Sequence, residues 1–385
     1  MRYATLPGTS LEVSRVGMGC YAAAGAYGEF DRPSFIRLLQ LGRDRGVTLY
    51  DTAPTYGDGE EILGEAVRPF RDEVVLATKV GLTPEGERDC SAEHVRSSCE
   101  ESLRRLGVDH IDLYQVHYHD PRTPVAETVG AMEELRREGK IRHYGVGHLP
   151  LDQVREYLEI GRPVACLVEL NCATREQYRR LFPVAGESAG IIGFSPSGRG
   201  LLSGDVGAET AFSGDDLRNM DPLYRGGRFR SALAVVGELQ ALAGQTGSTP
   251  VQVALRWAFE LPGVTAVLTG TRSREHLAEN IASADIPWDG QIQCRLNSVI
   301  KREEARFRAQ LPGELETILR DEGPISRDTL PDLVYVIEQA VSSGWVAEEA
   351  IIPLFTRLWA LRGGDIDEEK VRAVRQALLH LLFGA

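Results

Sequence analysis

Residues 92–117 read AEHVRSSCEESLRRLGVDHIDLYQVH, and this stretch decides the fold. An amphipathic helical pattern runs to Leu106 and stops at Gly107, a residue suited to a left-handed helix cap. IDLYQVH (111–117) follows, a short apolar run of strand character that ends on a histidine. The same unit recurs on both sides. Candidate strands are RVGMG (15–19), VTLYD (47–51), VVLATK (74–79), IDLYQVH, HYGVG (143–147), ACLVEL (165–170), IIGFS (191–195) and TAVLTG (265–270). Amphipathic stretches such as SFIRLLQLGRDRG, PVAETVGAMEELRREGK and DQVREYLEIG lie between them. Eight strands with helical crossovers predict a parallel sheet, and eight such units closed on themselves make an α/β fold of the (β/α)8 TIM barrel type. A doubly wound open sheet is the alternative. The opening YATLPGTSLEVS reads as a small hairpin before the first barrel strand.

Two features break the regularity. Residues 197–230, SGRGLLSGDVGAETAFSGDDLRNMDPLYRGGRFR, form a long Gly- and Asp-rich connection after the seventh strand, a length usually functional or disordered. Beyond about residue 305 the chain reads as amphipathic helices with no strand pattern. The expected organisation is a barrel over 1–305 and a C-terminal all-helical extension over 306–385. The apolar stripes of those helices need burial, against the barrel's exterior, in a homo-oligomer, on a protein partner or as a lid.

The chain has 385 residues and a net charge of −13, without a basic cluster, which argues against nucleic acid and anionic membranes as partners. Six scattered cysteines without a Cys-x-x-Cys pair favour reduced thiols in a cytoplasmic protein. The N-terminus carries no apolar h-region, so no signal peptide is expected. No apolar run approaches the roughly 20 residues that span a bilayer.

The strand ends carry the chemistry. In a barrel of this kind one rim hosts the site. The second candidate strand ends at Asp51, with Tyr56 in the following turn; the third ends at Lys79 and the fourth at His117. Lys79 is the partner that a carboxylate at a buried strand end requires. A cation about 4 Å from a phenolate is worth roughly 4 kcal/mol at an effective dielectric of 20, enough to lower a phenol pKa by up to ~3 units. Tyr56 is therefore expected to exchange a proton near neutrality. His117-x-His119 followed by Asp120 has the look of a metal cluster, but His117 is already claimed, and no metal is expected.

The run D-T-A-x-x-Y-G at 51–57, the strand-end Lys79 and the His117 closing L-Y-Q-V-H resemble the aldo-keto reductases. The resemblance runs from about residue 2 to about 290. It takes in GMGCY at the first strand, EELRREGKIRHYGVG into the fifth, FSPSGRGLLSG after the seventh and GTRSREHLAENI after the eighth. It implies NADPH-dependent reduction of a small aldehyde or ketone, with Asp51, Tyr56, Lys79 and His117 catalytic and Tyr56 the proton donor. By the same resemblance Gly19 and Cys20 line the cofactor pocket, and Phe194 stacks on the nicotinamide. Ser195, Ser197, Arg199 and Gly200 follow the pyrophosphate. Gly270, Thr271, Arg272, His276, Glu279 and Asn280 surround the adenosine end, while Tyr21 and Tyr118 face the substrate. Selectivity belongs to segments 21–30, 118–124 and 197–230. Physically, SGRG offers backbone N–H groups and a guanidinium, a plausible anion cradle.

The family's Ser-Asn after the fifth strand and Gln on the sixth, which hold the carboxamide, are here Gly147-His148 and Leu167. At the adenosine end His276 and Gly270 replace common basic contacts, with Arg272 and Arg274 nearby, so NADPH is expected over NADH. Two other functions share the scaffold: a non-reductive isomerase, epimerase or dehydratase, and a cofactor-sensing binding protein acting through its helical tail.

Overall fold

The computed structural model describes residues 1–25, 30–83, 86–118, 120–212, 216–326, 328–361 and 367–384. His119 and parts of two selectivity segments, residues 26–29 and 213–215, lie outside the described residues. The chain forms two compact units, Met1–Ser197 with Ala243–Trp288, and Gly198–Leu242 with Asp289–Ala385.

The first unit opens with an antiparallel hairpin, β1 (Tyr3–Thr5) and β2 (Glu12–Ser14). Eight parallel strands follow: β3 (Val16–Gly19), β4 (Leu49–Asp51), β5 (Val75–Val80), β6 (Ile111–Val116), β7 (Ile141–Gly147), β8 (Ala165–Glu169), β9 (Gly190–Phe194) and β10 (Val264–Thr269). They close in sequence order, with β10 beside β3, so the expected barrel is the observed one. Its interior is apolar where Leu49, Ala77, Leu113, Leu167 and Ile192 meet, and Leu6, Leu11 and Val13 of the hairpin join the same cluster.

Side chains two residues apart on a strand share a face. Asp51 therefore follows Leu49 into the interior, Lys79 follows Ala77, and Gln115 and His117 follow Leu113. The polar residues form a layer above the apolar one, toward the strands' C-terminal ends. Local chemistry fixes the crossovers. Ser91 Oγ accepts from His94 N at the start of helix Ala92–Leu106, and Gly107 at φ 64° ends it, donating to Leu103 O. Val95, Cys99, Leu103 and Leu106 line its buried face.

The second unit holds short turns at Leu217–Asn219 and Pro222–Tyr224, and helices Gly290–Arg320, Thr329–Ser342, Glu348–Ala360 and Glu368–Phe383. Helix Gly226–Thr246 starts in it. Its core is its own: Phe307, Leu311, Leu315 and Leu319, spaced four apart on one helix, pack with Leu333, Tyr335, Val371 and Leu378. The division expected between 305 and 306 lies inside the helix Gly290–Arg320. Among the described residues no helix is long and apolar enough to cross a membrane.

Candidate active site

At the C-terminal end of β4 and β5, Lys79 is 1% exposed and Asp51 4%. Lys79 Nζ lies 2.5 Å from Asp51 Oδ1 and donates to the Thr52 carbonyl at 2.8 Å. Gln115 Nε2 donates to Asp51 Oδ2 at 3.1 Å. Each charge thus has a partner and a further hydrogen bond, the condition under which a buried pair survives. Burial pushes the Asp51 carboxyl above its ordinary value, and Lys79 and Gln115 pull the other way. The Cys20 backbone N–H donates to the Asp51 carbonyl at 2.8 Å, and Gly19 is the β-ladder partner of Asp51. Burial pushes the Cys20 thiol up, so it is no thiolate.

Tyr56 sits in the turn after β4, with its N–H on the Ala53 carbonyl at 3.0 Å. The next residue, Gly57, has φ 57°, and a Cβ there would stand 2.9 Å from the Ala23 carbonyl oxygen, so the turn needs glycine. Lys79 Nζ lies 4.8 Å from the centre of the Tyr56 ring. The expected acid shift of this phenol is overturned. Burial pushes it well above its ordinary value, and the Asp51 carboxylate adds to that. Asp51 offsets the Lys79 charge, and desolvation decides the direction. The resting group is a neutral phenol.

A continuous run of rings leads away from Tyr56. Tyr21 meets it edge-on at 5.1 Å and His117 at 6.1 Å. His117 lies 4.5 Å from Tyr118 and 5.6 Å from His148. His148 stacks on Tyr118 at 4.8 Å and meets Phe194 at the same distance. Arg88 lies over the outer partner, Tyr118, at 5.4 Å. Burial first, then Lys79 and His148, push the His117 imidazole well below 6.5. The folded chain therefore binds fewer protons at His117 than the unfolded chain does below pH 6.5. Stability tied to this residue is full above pH 6.5 and lost as pH falls below it, by at most about 1.4 kcal/mol per pH unit. His117→Gln is expected to flatten the fall of the unfolding midpoint on acidification from 6.5; an unaltered slope means His117 protonates freely in the fold.

His148 and Ser195 each stand one residue past a strand end with left-handed backbone, φ 49° and 51°. For residues with a Cβ that conformation costs of the order of 1–3 kcal/mol and persists where surroundings enforce it. Asn171, fully buried, enforces one: its Nδ2 donates to the Ser195 carbonyl at 3.2 Å, and its Oδ1 accepts from Ala173 and Thr174 N–H. At Gly147 a Cβ would lie 3.2 Å from Leu167 Cβ, so the two departures from the family pattern are neighbours. Leu167 belongs to the apolar interior and offers no hydrogen bond there.

A second group lies after β10. Helix Arg274–Ala282 is capped by Ser273, whose Oγ accepts from Glu275 and His276 N–H. Arg272, Ser273 and His276 line a cavity of about 480 Å³ with Phe30, Asp31, Ser34 and Phe35. Thr271 Oγ1 accepts from Ser273 N–H at 3.1 Å, and Gly270 has open space where a Cβ would point. Asn280 is buried, and the Glu279 carbonyl accepts from Gln252. Ser197, half-buried, ends one stretch of the first unit, while Arg199 and Gly200 belong to the second.

Three contributors had no assigned role in the sequence: Gln115, Asn171 and the Thr52 carbonyl. The period-two rule finds Gln115, two residues before His117 on the same strand. Asn171 carries only the weak signal of a polar residue just past a strand.

Residues 15–300 match the family model described as the aldo/keto reductase family. The chain is similar to the aldo-keto reductase YhdN of Bacillus subtilis (strain 168), 36% identical over 311 residues, covering 78% of this chain and 94% of that one. Among solved structures it is similar to the glycerol dehydrogenase of Gluconobacter oxydans, with a TM-score of 0.71 and 30% identity, covering 78% of this chain and 95% of that one. It is also similar to an aldo-keto reductase of Bacillus halodurans in its holo form, with a TM-score of 0.67 and 26% identity over 78% and 96% of the two chains.

Proposed function

Because the chain belongs to the aldo/keto reductase family, we propose that it reduces a small aldehyde or ketone to the alcohol, with NADPH preferred over NADH and Tyr56 as proton donor. The observation that carries this reading is the Tyr56 ring 4.8 Å from Nζ of the buried Lys79–Asp51 pair and 6.1 Å from the His117 ring, with burial favouring the neutral phenol.

The residues fit a nicotinamide nucleotide. The cavity lined by Arg272 and His276 offers cationic and hydrogen-bonding groups to a phosphate. Phe194, at the end of β9 beside His148, offers a flat apolar face to the nicotinamide. Ser195, Ser197, Arg199 and Gly200 would follow the pyrophosphate, and Gly270, Thr271, Glu279 and Asn280 the adenosine end. His148 would take over the carboxamide from the absent Ser-Asn pair. Once bound, such a nucleotide supplies the hydride.

The chain's own residues supply the rest. Tyr56 Oη gives its proton to the oxygen that becomes the alcohol. A neutral phenol is the right resting form for a donor, and its conjugate base forms only as charge develops. Lys79 then faces a phenolate, an attraction of roughly 3 kcal/mol at an effective dielectric of 20. Asp51 and the Thr52 carbonyl fix the ammonium. Neutral His117 hydrogen-bonds the substrate oxygen and orients it. Tyr21 and Tyr118 form the aromatic wall for the organic part of the substrate.

A second reading, a proton-transfer enzyme with no net reduction, is favoured by one observation: Gly147 and Leu167 supply no side-chain hydrogen bond to a carboxamide. Titration of tryptophan fluorescence with NADPH and NADH tests the first reading. Saturable binding with NADPH the tighter, followed by turnover of carbonyl compounds in one-to-one proportion to NADPH consumed, is the expected result. Failure to bind either nucleotide sinks it, and turnover without NADPH consumption selects the second.

A further inference from the structure

The Gly198–Arg199–Gly200 turn runs through three successive left-handed residues, φ 59°, 55° and 97°. Arginine does not hold that conformation unaided. Two side chains hold it here. The Tyr224 hydroxyl donates to the Arg199 carbonyl at 3.0 Å and lies 3.3 Å from the Gly198 carbonyl. Asp221 Oδ2 accepts from Arg199 Nε at 2.9 Å. Both come from the short turn at Pro222–Tyr224 and its cap, where Asp221 also accepts from Leu223 N–H.

What fixes that short turn is the C-terminal helical region. Arg225, next in the chain, faces Asp328 and Asp332 at 3.8 Å each. The Gly227 N–H donates to Glu314 Oε1 at 2.7 Å, and Arg230 reaches the same oxygen at 3.1 Å. Tyr335 Oη donates to the other Glu314 oxygen at 3.0 Å. Arg228 lies over the Phe307 ring at 4.4 Å. The seat is built for bare backbone. A Cβ on Gly226 would stand 2.5 Å from Glu314 Oε1 and 3.0 Å from the Tyr335 ring, and one on Gly227 2.7 Å from Glu314 Oε2.

We infer that Glu314 and Tyr335 of the C-terminal extension are positioning residues for the nucleotide, acting through Gly226–Gly227 and Tyr224 on the left-handed 198–200 turn. This rests on the reading of that turn as part of the pyrophosphate path. Within the second unit, the extension then keeps the N–H groups and guanidinium of a strained anion cradle in place before the ligand arrives.

The test uses the full-length protein with Glu314→Ala, Tyr335→Phe and, as a control on the same extension, the exposed Leu381→Ser. Amide hydrogen exchange over residues 198–204 is measured without nucleotide. Glu314→Ala is expected to speed it roughly tenfold, Tyr335→Phe less, and Leu381→Ser not at all, as local opening becomes easier. In kinetics, Glu314→Ala is expected to raise the KM for NADPH roughly tenfold with kcat within about twofold, the pattern of lost uniform binding. In an Arg199→Ala background that increase should vanish, because the two residues act through one turn. Unchanged exchange in both Glu314→Ala and Tyr335→Phe overturns the inference, as does a KM effect that persists in full without Arg199. Should Glu314→Ala fail to fold, Tyr335→Phe, which loses one hydroxyl, decides. Wild-type protein that binds no nucleotide removes the proposed function, while exchange still reports whether the extension holds the turn.

Discussion

Tyr56→Phe is expected to lower kcat for carbonyl reduction by roughly 10²–10⁴-fold, the usual worth of a positioned general acid, while leaving nucleotide affinity and fold intact. The substitution removes one oxygen and keeps the ring. The ring's edge contacts with Tyr21 and His117 and the approach of Lys79 at 4.8 Å do not depend on the hydroxyl. Loss of rate with a retained NADPH dissociation constant therefore isolates the proton. The measurements are single-turnover kinetics and fluorescence titration on the same preparation. A variant that keeps near-wild-type kcat shows that the proton comes from elsewhere, and His117 is the nearest alternative. Its low proton affinity makes that a poor route near neutral pH, since the imidazole has no proton to spare beyond its single neutral N–H.

Much of this site was legible from the strand pattern. Asp51, Lys79 and His117 each fall an even number of residues after an apolar interior position, so a parallel barrel places them on one face at one end. Gln115 obeys the same rule, and only its modest chemistry hid it. The proton affinity of Tyr56 was not legible. The strand ends show that Lys79 and its partner Asp51 are near, but not how far the phenol is desolvated, and desolvation sets the direction.

The C-terminal organisation was harder for a different reason. Pro312-Gly313 looks like a helix break, yet the helix Gly290–Arg320 continues through it. An internal proline forfeits one backbone hydrogen bond at a cost of about 3 kcal/mol. Phe307, Leu311, Leu315 and Leu319 bury a stripe on both sides of the break, and side chains of that size are each worth about 1.5–3 kcal/mol when buried. Tertiary packing outweighs the local signal. Residues 197–230 read as a loop because partners of this stretch, Glu314, Asp332 and Tyr335, lie far along the chain. No local periodicity encodes a contact such as Gly227 with Glu314.

Lys79→Met should show how one ion pair serves both stability and chemistry. Removing the ammonium leaves Asp51, 4% exposed, with the Gln115 amide as its remaining side-chain donor, and strips a donor from the Thr52 carbonyl. Breaking a buried pair from one side typically costs about 3–5 kcal/mol, because a buried charge is left uncompensated. A fall of that size in urea-unfolding free energy is expected, together with loss of turnover below the unfolding temperature. The double variant Asp51→Asn with Lys79→Met separates the two effects. It removes both charges, so most of the stability should return. Turnover should not return, since no cation remains to face the Tyr56 phenolate. Adding Tyr56→Phe to Lys79→Met should cost little further rate, because Lys79 acts on the proton through Tyr56 and groups that act as a unit are strongly non-additive. Unchanged stability in Lys79→Met means the pair is dispensable to the fold. Fully multiplicative rate losses mean that Lys79 stabilises something other than the phenolate.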